Sequence, residues 1–213
     1  FPAPKPRTER LTAEQAIVMR AAAHQNGKPS IALAQAIAFD YMLRQKDVIG
    51  EWVDHDEPGP SSDIIVDGLK WVRGFRWEEL EADLIWRHVT SKRNKMLELP
   101  LRDAPMVMEE LRRLYVLPQD DAAIERDHFP ATGPVIVAEY TGLPYSAHEF
   151  RRHWRKLARG AGIPDAVRNM DTRAGAISEA VEAGVNPTLI QQAATHSKLA
   201  TTAANIYAAG DVC

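Results

Sequence analysis

A single cysteine, Cys213, stands among the 213 residues of this chain. One thiol cannot build an internal disulfide framework, and such usage fits a reducing, cytoplasmic compartment. No apolar run approaches the roughly 20 residues that a membrane-spanning helix requires. No stretch carries the pattern of a signal peptide. Positive charge is not in excess either: 26 Lys and Arg face 29 Asp and Glu, for a net charge of -3. The total therefore does not advertise a nucleic-acid partner, although local patches matter more than totals. Internal repeats and Gly-rich phosphate loops are lacking. Seven scattered histidines and one cysteine give no metal-ligand spacing. The remainder is ordinary for a globular chain, 45% hydrophobic and 26% charged, and suffices for one large domain with a sizeable core.

The first ten residues, F-P-A-P-K-P-R-T-E-R, place three prolines among charges and read as an extended linker. We expect the chain to be cut from a longer protein inside that linker. A helix should open at Leu11–Glu14 with Thr12 as cap and Ala16, Ile17, Met19 and Ala23 as its apolar positions. Asn26–Pro29 breaks it. Ser30 is the expected cap of a second helix, I-A-L-A-Q-A-I-A-F-D-Y-M-L-R-Q, whose apolar circumference marks a central core helix. Glu51 to Ser62 is acidic, rich in Pro and Gly, and expected as loop. Gly68–Phe75, Leu84–Thr90 and Lys95–Leu99 carry strand signals, the last two joined by a turn at Ser91–Asn94. Pro105–Leu114 should be an amphipathic helix with proline in its first turn. An irregular acidic stretch, a short apolar run at Gly133–Val137 and a loop at Thr141–Tyr145 follow. Ser146 should cap a helix over Ala147–Arg159 that buries Phe150, Trp154, Leu157 and Ala158. That helix presents Arg151, Arg152, Arg155, Lys156 and Arg159, either as a phosphate-binding surface or as a solvated face.

The last third organises the rest. From Asn169 to Tyr207 it reads N-M-D-T-R-A-G-A-I-S-E-A-V-E-A-G-V-N-P-T-L-I-Q-Q-A-A-T-H-S-K-L-A-T-T-A-A-N-I-Y. A helix should start after Asp171, which supplies a cap and a favourable charge. Ala174, Ile177, Ala180 and Val181 share its apolar face, and Gly184 stops it. A second short helix, Pro187–Ala194, leads into Thr195-His196-Ser197. Arg173 and His196 then can face one cleft, with Tyr207 close behind. Arginine offers a forked donor set for phosphate oxygens, histidine can move a proton near neutrality, and tyrosine can act as a covalent nucleophile. Helix-end Arg and His also simply complement carbonyl dipoles, so the residues alone leave both readings open.

This stretch resembles the end of the tyrosine recombinase (phage integrase) catalytic domain, with its H-x-x-R box, helix-ending Gly, L-G-H-S, T-T and tyrosine. Arg173 matches the box arginine, Gly184 the glycine and His196-Ser197 the H-S pair. Met170 stands at the box histidine position. The usual tyrosine position falls on Asn205, and Tyr207 lies two residues later. Upstream, L-R-Q-K-D-V-I-G resembles the box of the first catalytic arginine, so Arg44 fits that position and Asp47 the acidic residue that would hold it. T-S-K-R-N-K-M-L-E-L-P-L resembles the hairpin carrying the catalytic lysine; Lys92 takes the matched position, and Lys95 is the alternative.

The resemblance covers roughly Leu11 to Tyr207. It implies a mainly α domain with a small antiparallel β-sheet (α+β), residues 11–207, preceded by a linker at 1–10 from an N-terminal DNA-binding domain and followed by a short tail, 208–213. It implies site-specific recombination or integration of DNA through a 3′-phosphotyrosyl intermediate, as in mobile elements. The expected catalytic residues are Arg44, Lys92, Arg173, His196 and Tyr207. Arg151, Arg152, Arg155 and Lys156 are expected on the DNA, and Asp47 behind Arg44. Double-stranded DNA is the implied partner, with a homotetramer assembled on it. The chemistry calls for no metal or nucleotide cofactor, because the covalent link keeps the bond energy for rejoining. Two alternatives stand: a DNA-binding relative that has lost cleavage, motivated by Met170 and the displaced Tyr207, and an unrelated helical interaction domain.

Overall fold

A computed structural model describes residues 7–194. The first helix, α1 (Ala13–Gln25), starts where a capping box closes on it: Thr12 Oγ1 accepts from the Gln15 N–H at 3.1 Å and Gln15 Oε1 accepts from the Thr12 N–H at 3.2 Å. Its buried stripe is Ala16, Met19, Arg20 and Ala23. Ile17, expected inside, is 54% exposed. One residue turns a helix by about 100°, which carries Ile17 off the stripe that starts at Ala16.

Helix α2 (Pro29–Asp40) is the central element, buried from Ile31 to Phe39 and packed against α1, α4 and α6. Ser30 does not cap it. Lys28 is the N-cap, Pro29 occupies the first turn, and the Ser30 hydroxyl and N–H both donate to Glu139, at 2.6 and 2.9 Å. The helix also ends five residues earlier than its apolar run suggests. The Leu43 N–H donates to the Ala38 carbonyl and the Met42 N–H to that of Phe39, while Met42 turns left-handed at φ 52°. That is a Schellman closure built on methionine instead of glycine. Arg44 is consequently extended, and it is the N-cap of a new short helix, α3 (Gln45–Ile49).

Gly50, at φ 73°, stops α3 where a Cβ would lie 2.4 Å from the Trp71 indole nitrogen. Two small antiparallel sheets follow. In the first, β1 (Glu51–Asp54), β2 (Ile65–Val66) and β3 (Leu69–Val72) lie in the order β1-β3-β2. Strand β1 occupies part of a stretch expected as loop, because the acidic, Pro/Gly-rich residues after it dominate the local composition. Strand β3 stops short of Phe75, since Arg73 is left-handed at φ 69°. The second sheet is the hairpin β4 (Ile85–Val89) and β5 (Met96–Pro100), in register from Ile85↔Pro100 to Val89↔Met96. Its turn closes on Thr90, whose carbonyl accepts from the Asn94 N–H and whose hydroxyl accepts from the Lys95 N–H.

Helix α4 (Pro105–Leu114) has the expected bounds and buries Val107 and Leu111. Its Glu110, fully buried, receives Arg20 at 2.7 Å and His24 at 2.5 Å from α1. The Gly133–Val137 run forms no strand, only an isolated bridge between Pro134 and Arg76. Helix α5 (Ala147–Gly160) is capped by Ser146 and buries Phe150, Trp154, Leu157 and Ala158. A 3-10 turn (Asn169–Asp171) leads into α6 (Thr172–Glu182), and α7 (Pro187–Ala193) follows. On α6, Ile177 joins Ile190 and Ala194 in a satellite cluster flanked by Ala180 and Val181, whereas Ala174 stays outside it.

The segment from Arg7 to Leu11 lies along α6. Arg7 grips the Asp171 carboxylate with two bonds of 2.8 Å, and Leu11 is fully buried. A Cβ on Gly175 would stand 1.8 Å from the Leu11 carbonyl oxygen, so only glycine admits this contact. Asp171 precedes α6 as expected but its side chain caps nothing there; it serves Arg7 and the Arg168 N–H. Among the described residues no helix is long and apolar enough to cross a membrane.

Candidate functional site

Arg44 and Arg173, 129 positions apart in the numbering, line one cavity of about 490 Å³ with Gln45, Arg151 and Met170. The early end of α2 accounts for the placement of Arg44: an unbroken helix would put it on a turn continuous with Phe39, whereas the extended backbone at the α3 N-cap aims it elsewhere. Arg173 is fixed from the other side. Gln35, fully buried within α2, accepts from the Trp154 indole N–H at 2.8 Å and donates to the Thr172 hydroxyl at 3.2 Å, tying α2, α5 and the start of α6 together. Sequence reading passed over Gln35. Its one signal is a lone amide within A-L-A-Q-A-I-A.

The two guanidiniums feel one another. Burial, with Arg44's charge adding to it, pushes Arg173 down to about 10, and Asp47 opposes the shift. Arg173 remains charged at neutral pH. It also donates to the Ala194 carbonyl at the end of α7, two residues before His196 in the sequence.

Asp47 is fully buried and reaches two elements. One oxygen accepts the Ser91 N–H of the β4–β5 turn at 2.7 Å; the other lies 3.9 Å from Arg44 Nη1. Lys92, the next residue of that turn, is exposed, as is Lys95. Neither lines the Arg44–Arg173 cavity. His196 and Tyr207, with Ser197 and Asn205, lie outside the described residues.

Met170 is 62% exposed and lines both this cavity and a neighbouring one of about 500 Å³. The neighbouring cavity is walled by Arg151, Arg155, Arg159 and Arg168, with Trp154 and Asp165. The basic helix α5 thus divides. Arg155 is committed to the carbonyls of Pro164 and Val167 and to Asp165, and Arg159 to Asp165 at 2.8 Å. Arg152 and Lys156 are exposed away from both cavities. Arg151 faces both. Chemically, the Arg44–Arg173 cavity is a place for an anion with several oxygens, since forked donors line it and its Glu51 carboxylate is already engaged.

Solved structures share the fold. XerA recombinase matches with a TM-score of 0.58 at 16% identity, over 97% of this chain and 61% of that one. Lambda integrase (residues 75–356) bound to DNA gives 0.64 at 13% identity, over 99% and 64%. A lambda integrase tetramer bound to a Holliday junction gives 0.60 at 15% identity, over 98% and 50%. The chain spans less than two thirds of the length of each of these proteins. No curated protein matches it. The sequence pattern of the phage integrase family matches residues 71–212, well over half of the chain, and with its mainly helical body and small antiparallel sheets the chain belongs to that family, with the fold of a tyrosine recombinase catalytic domain.

Proposed function

We propose that this domain cuts and rejoins double-stranded DNA by tyrosine-mediated transesterification. The observation that carries the reading is the pairing of Arg44 and Arg173 around one cavity, with Asp47 binding the hairpin turn to the same place. Arg44, Arg173 and His196 hold the non-bridging oxygens of the scissile phosphate and stabilise the charge that gathers there in the transition state. The Tyr207 hydroxyl gives its proton to solvent as its oxygen attacks phosphorus. The phosphorus bond to the 5′-oxygen breaks, Lys92 protonates that oxygen, and the 3′-phosphate remains esterified to Tyr207. Rejoining reverses these steps with a 5′-hydroxyl as the attacking group. Asp47 keeps Arg44 oriented. Arg151, Arg152, Arg155 and Lys156 contribute to the DNA surface. Residues 1–10 link this catalytic unit, 11–207, to an N-terminal DNA-binding domain, and four copies assemble on the DNA.

A second reading, a DNA-binding relative without cleavage, draws on Met170, a thioether in the cavity that neither donates nor transfers a proton. The experiment is a suicide DNA substrate incubated with the full-length protein. A covalent adduct that Tyr207→Phe removes supports cleavage. An adduct that survives this substitution overturns the role of Tyr207, and no adduct from either protein, with DNA still bound, selects the second reading.

A further inference from the structure

The cavity between Arg44 and Arg173 carries more positive charge than those two residues account for. Glu51 lines it, yet that carboxylate is taken by Lys46 and Arg73, both at 2.5 Å. Asp47 accepts the Ser91 N–H with one oxygen and sets the other 3.9 Å from Arg44. His148, the other titratable side chain beside Ala147 on α5, does not line the cavity. Arg151 does line it, and among the described residues its guanidinium makes no hydrogen bond or ion pair.

Three residues line both this cavity and the neighbouring one: Gln45, Arg151 and Met170. Arg151 is the cation among them, and Met170 supplies no donor at all. Arg151 is exposed, and its guanidinium lines the same cavity as those of Arg44 and Arg173. Arg155 and Arg159, one and two turns along the same helix, have relieved their charge on Asp165 and on backbone carbonyls. Arg151 has not. Its placement makes sense for a group whose partner arrives as a ligand.

We propose that Arg151 is the third arginine of the oxyanion site, gripping the same phosphate as Arg44 and Arg173 from the side that Met170 leaves without a donor. It is thereby more than one of several surface contacts to DNA backbone. The proposal rests on the reading of the Arg44–Arg173 cavity as a phosphate site, and its test separates the two.

Inorganic phosphate is titrated into the whole chain at low ionic strength, and its dissociation constant is followed by NMR of arginine side-chain resonances. Arg173→Ala tests the site, and Arg151→Ala tests the proposal. Arg151→Lys asks whether a point charge replaces a fork, and Arg168→Ala, altered only in the neighbouring cavity, is the control. Loss of a charged hydrogen-bonding arm should weaken phosphate binding on the order of tenfold in Arg151→Ala, with partial recovery in Arg151→Lys. Arg168→Ala should stay within about twofold of the parent, well short of the tenfold that a lost arm represents. If Arg173→Ala loses phosphate while Arg151→Ala binds it like the parent, the proposal falls and the site stands. If the parent binds no phosphate, both fall. Equal weakening by Arg151→Ala and Arg168→Ala would reduce Arg151 to general surface charge and likewise overturn it.

Discussion

Asp47 shows how a single side chain serves two elements. Its carboxylate links the α3 N-cap, Arg44, to the hairpin turn that bears Lys92. Replacement by alanine leaves the half-buried Ser91 N–H without its carboxylate and frees Arg44, and an unsatisfied donor costs about 1–3 kcal/mol when fully buried. Asp47→Ala should therefore lower the free energy of urea unfolding by about 2 kcal/mol, and hydrogen exchange at the Ser91 amide should accelerate. Asp47→Asn keeps an oxygen for Ser91 and should lose less. Equal losses would mean that the hydrogen bond contributes nothing and the charge everything. The sequence made Asp47 legible through its spacing from Arg44, since an acid three residues after an arginine suggests a support. It did not make Gln35 or Arg20 legible, because what they bind comes from distant helices: Trp154 and Thr172 for the one, Glu110 for the other.

At the level of elements, some caps were readable, those expected at Ser30 and Asp171 were not formed, and the internal stops were hidden. Thr12, Ser146 and Pro105 announce α1, α5 and α4 because each acts through its own turn. The end of α2 was hidden, since Met42 in a left-handed conformation carries none of the usual glycine signal. Asp40, at that end, accepts the Val107 N–H at 3.0 Å and so also starts α4. Burial pushes its carboxyl from the ordinary 3.8 up to about 6. Between those two values the folded chain retains a proton that the unfolded chain has released. The contribution of Asp40 to stability is thus fullest at the acid end and falls as pH rises through 3.8 to about 6. Asp40→Asn stays neutral and can still accept from Val107. Unfolding curves of the two proteins should converge near the acid end of that window and separate toward neutrality, with the Asn variant gaining. A parallel pH dependence in both proteins would show that Asp40 is not the titrating group.

The whole molecule is acidic by count and basic by place. A net charge of -3 coexists with four arginines around one cavity and two more in the next. Attraction to a DNA duplex should then be carried by a few phosphate contacts, and its affinity should fall linearly on a logarithmic scale as salt rises. Each arginine that neutralises a phosphate contributes about 0.9 to the slope. Fluorescence anisotropy with a labelled duplex should show the slope diminished in the triple variant Arg151→Ala, Arg152→Ala, Arg155→Ala. Arg155→Ala alone should change it least, because Arg155 is already spent on Asp165 and two carbonyls. An unchanged affinity and slope in the triple variant would remove α5 from the DNA surface. The cavity itself was foreseeable from motif order, whereas its division into engaged and available arginines was not, since Asp165 lies in a loop with no pattern of its own.

Composition calls residues 1–10 a linker, yet Arg7 grips Asp171 just before α6, and the Leu11 carbonyl sits where a side chain on Gly175 would stand. The reach of the cooperative unit and the reach of regular secondary structure are therefore different boundaries. A chain trimmed back to the Thr12 cap would keep every helix and strand and still lose a piece of its interior. Asp171 would be left a buried anion without the counter-ion Arg7, two residues before Arg173, and the Gly175 face of α6 would open to water. For this domain, the place to cut is decided by a carboxylate and a missing Cβ, upstream of the first residue that any helix claims.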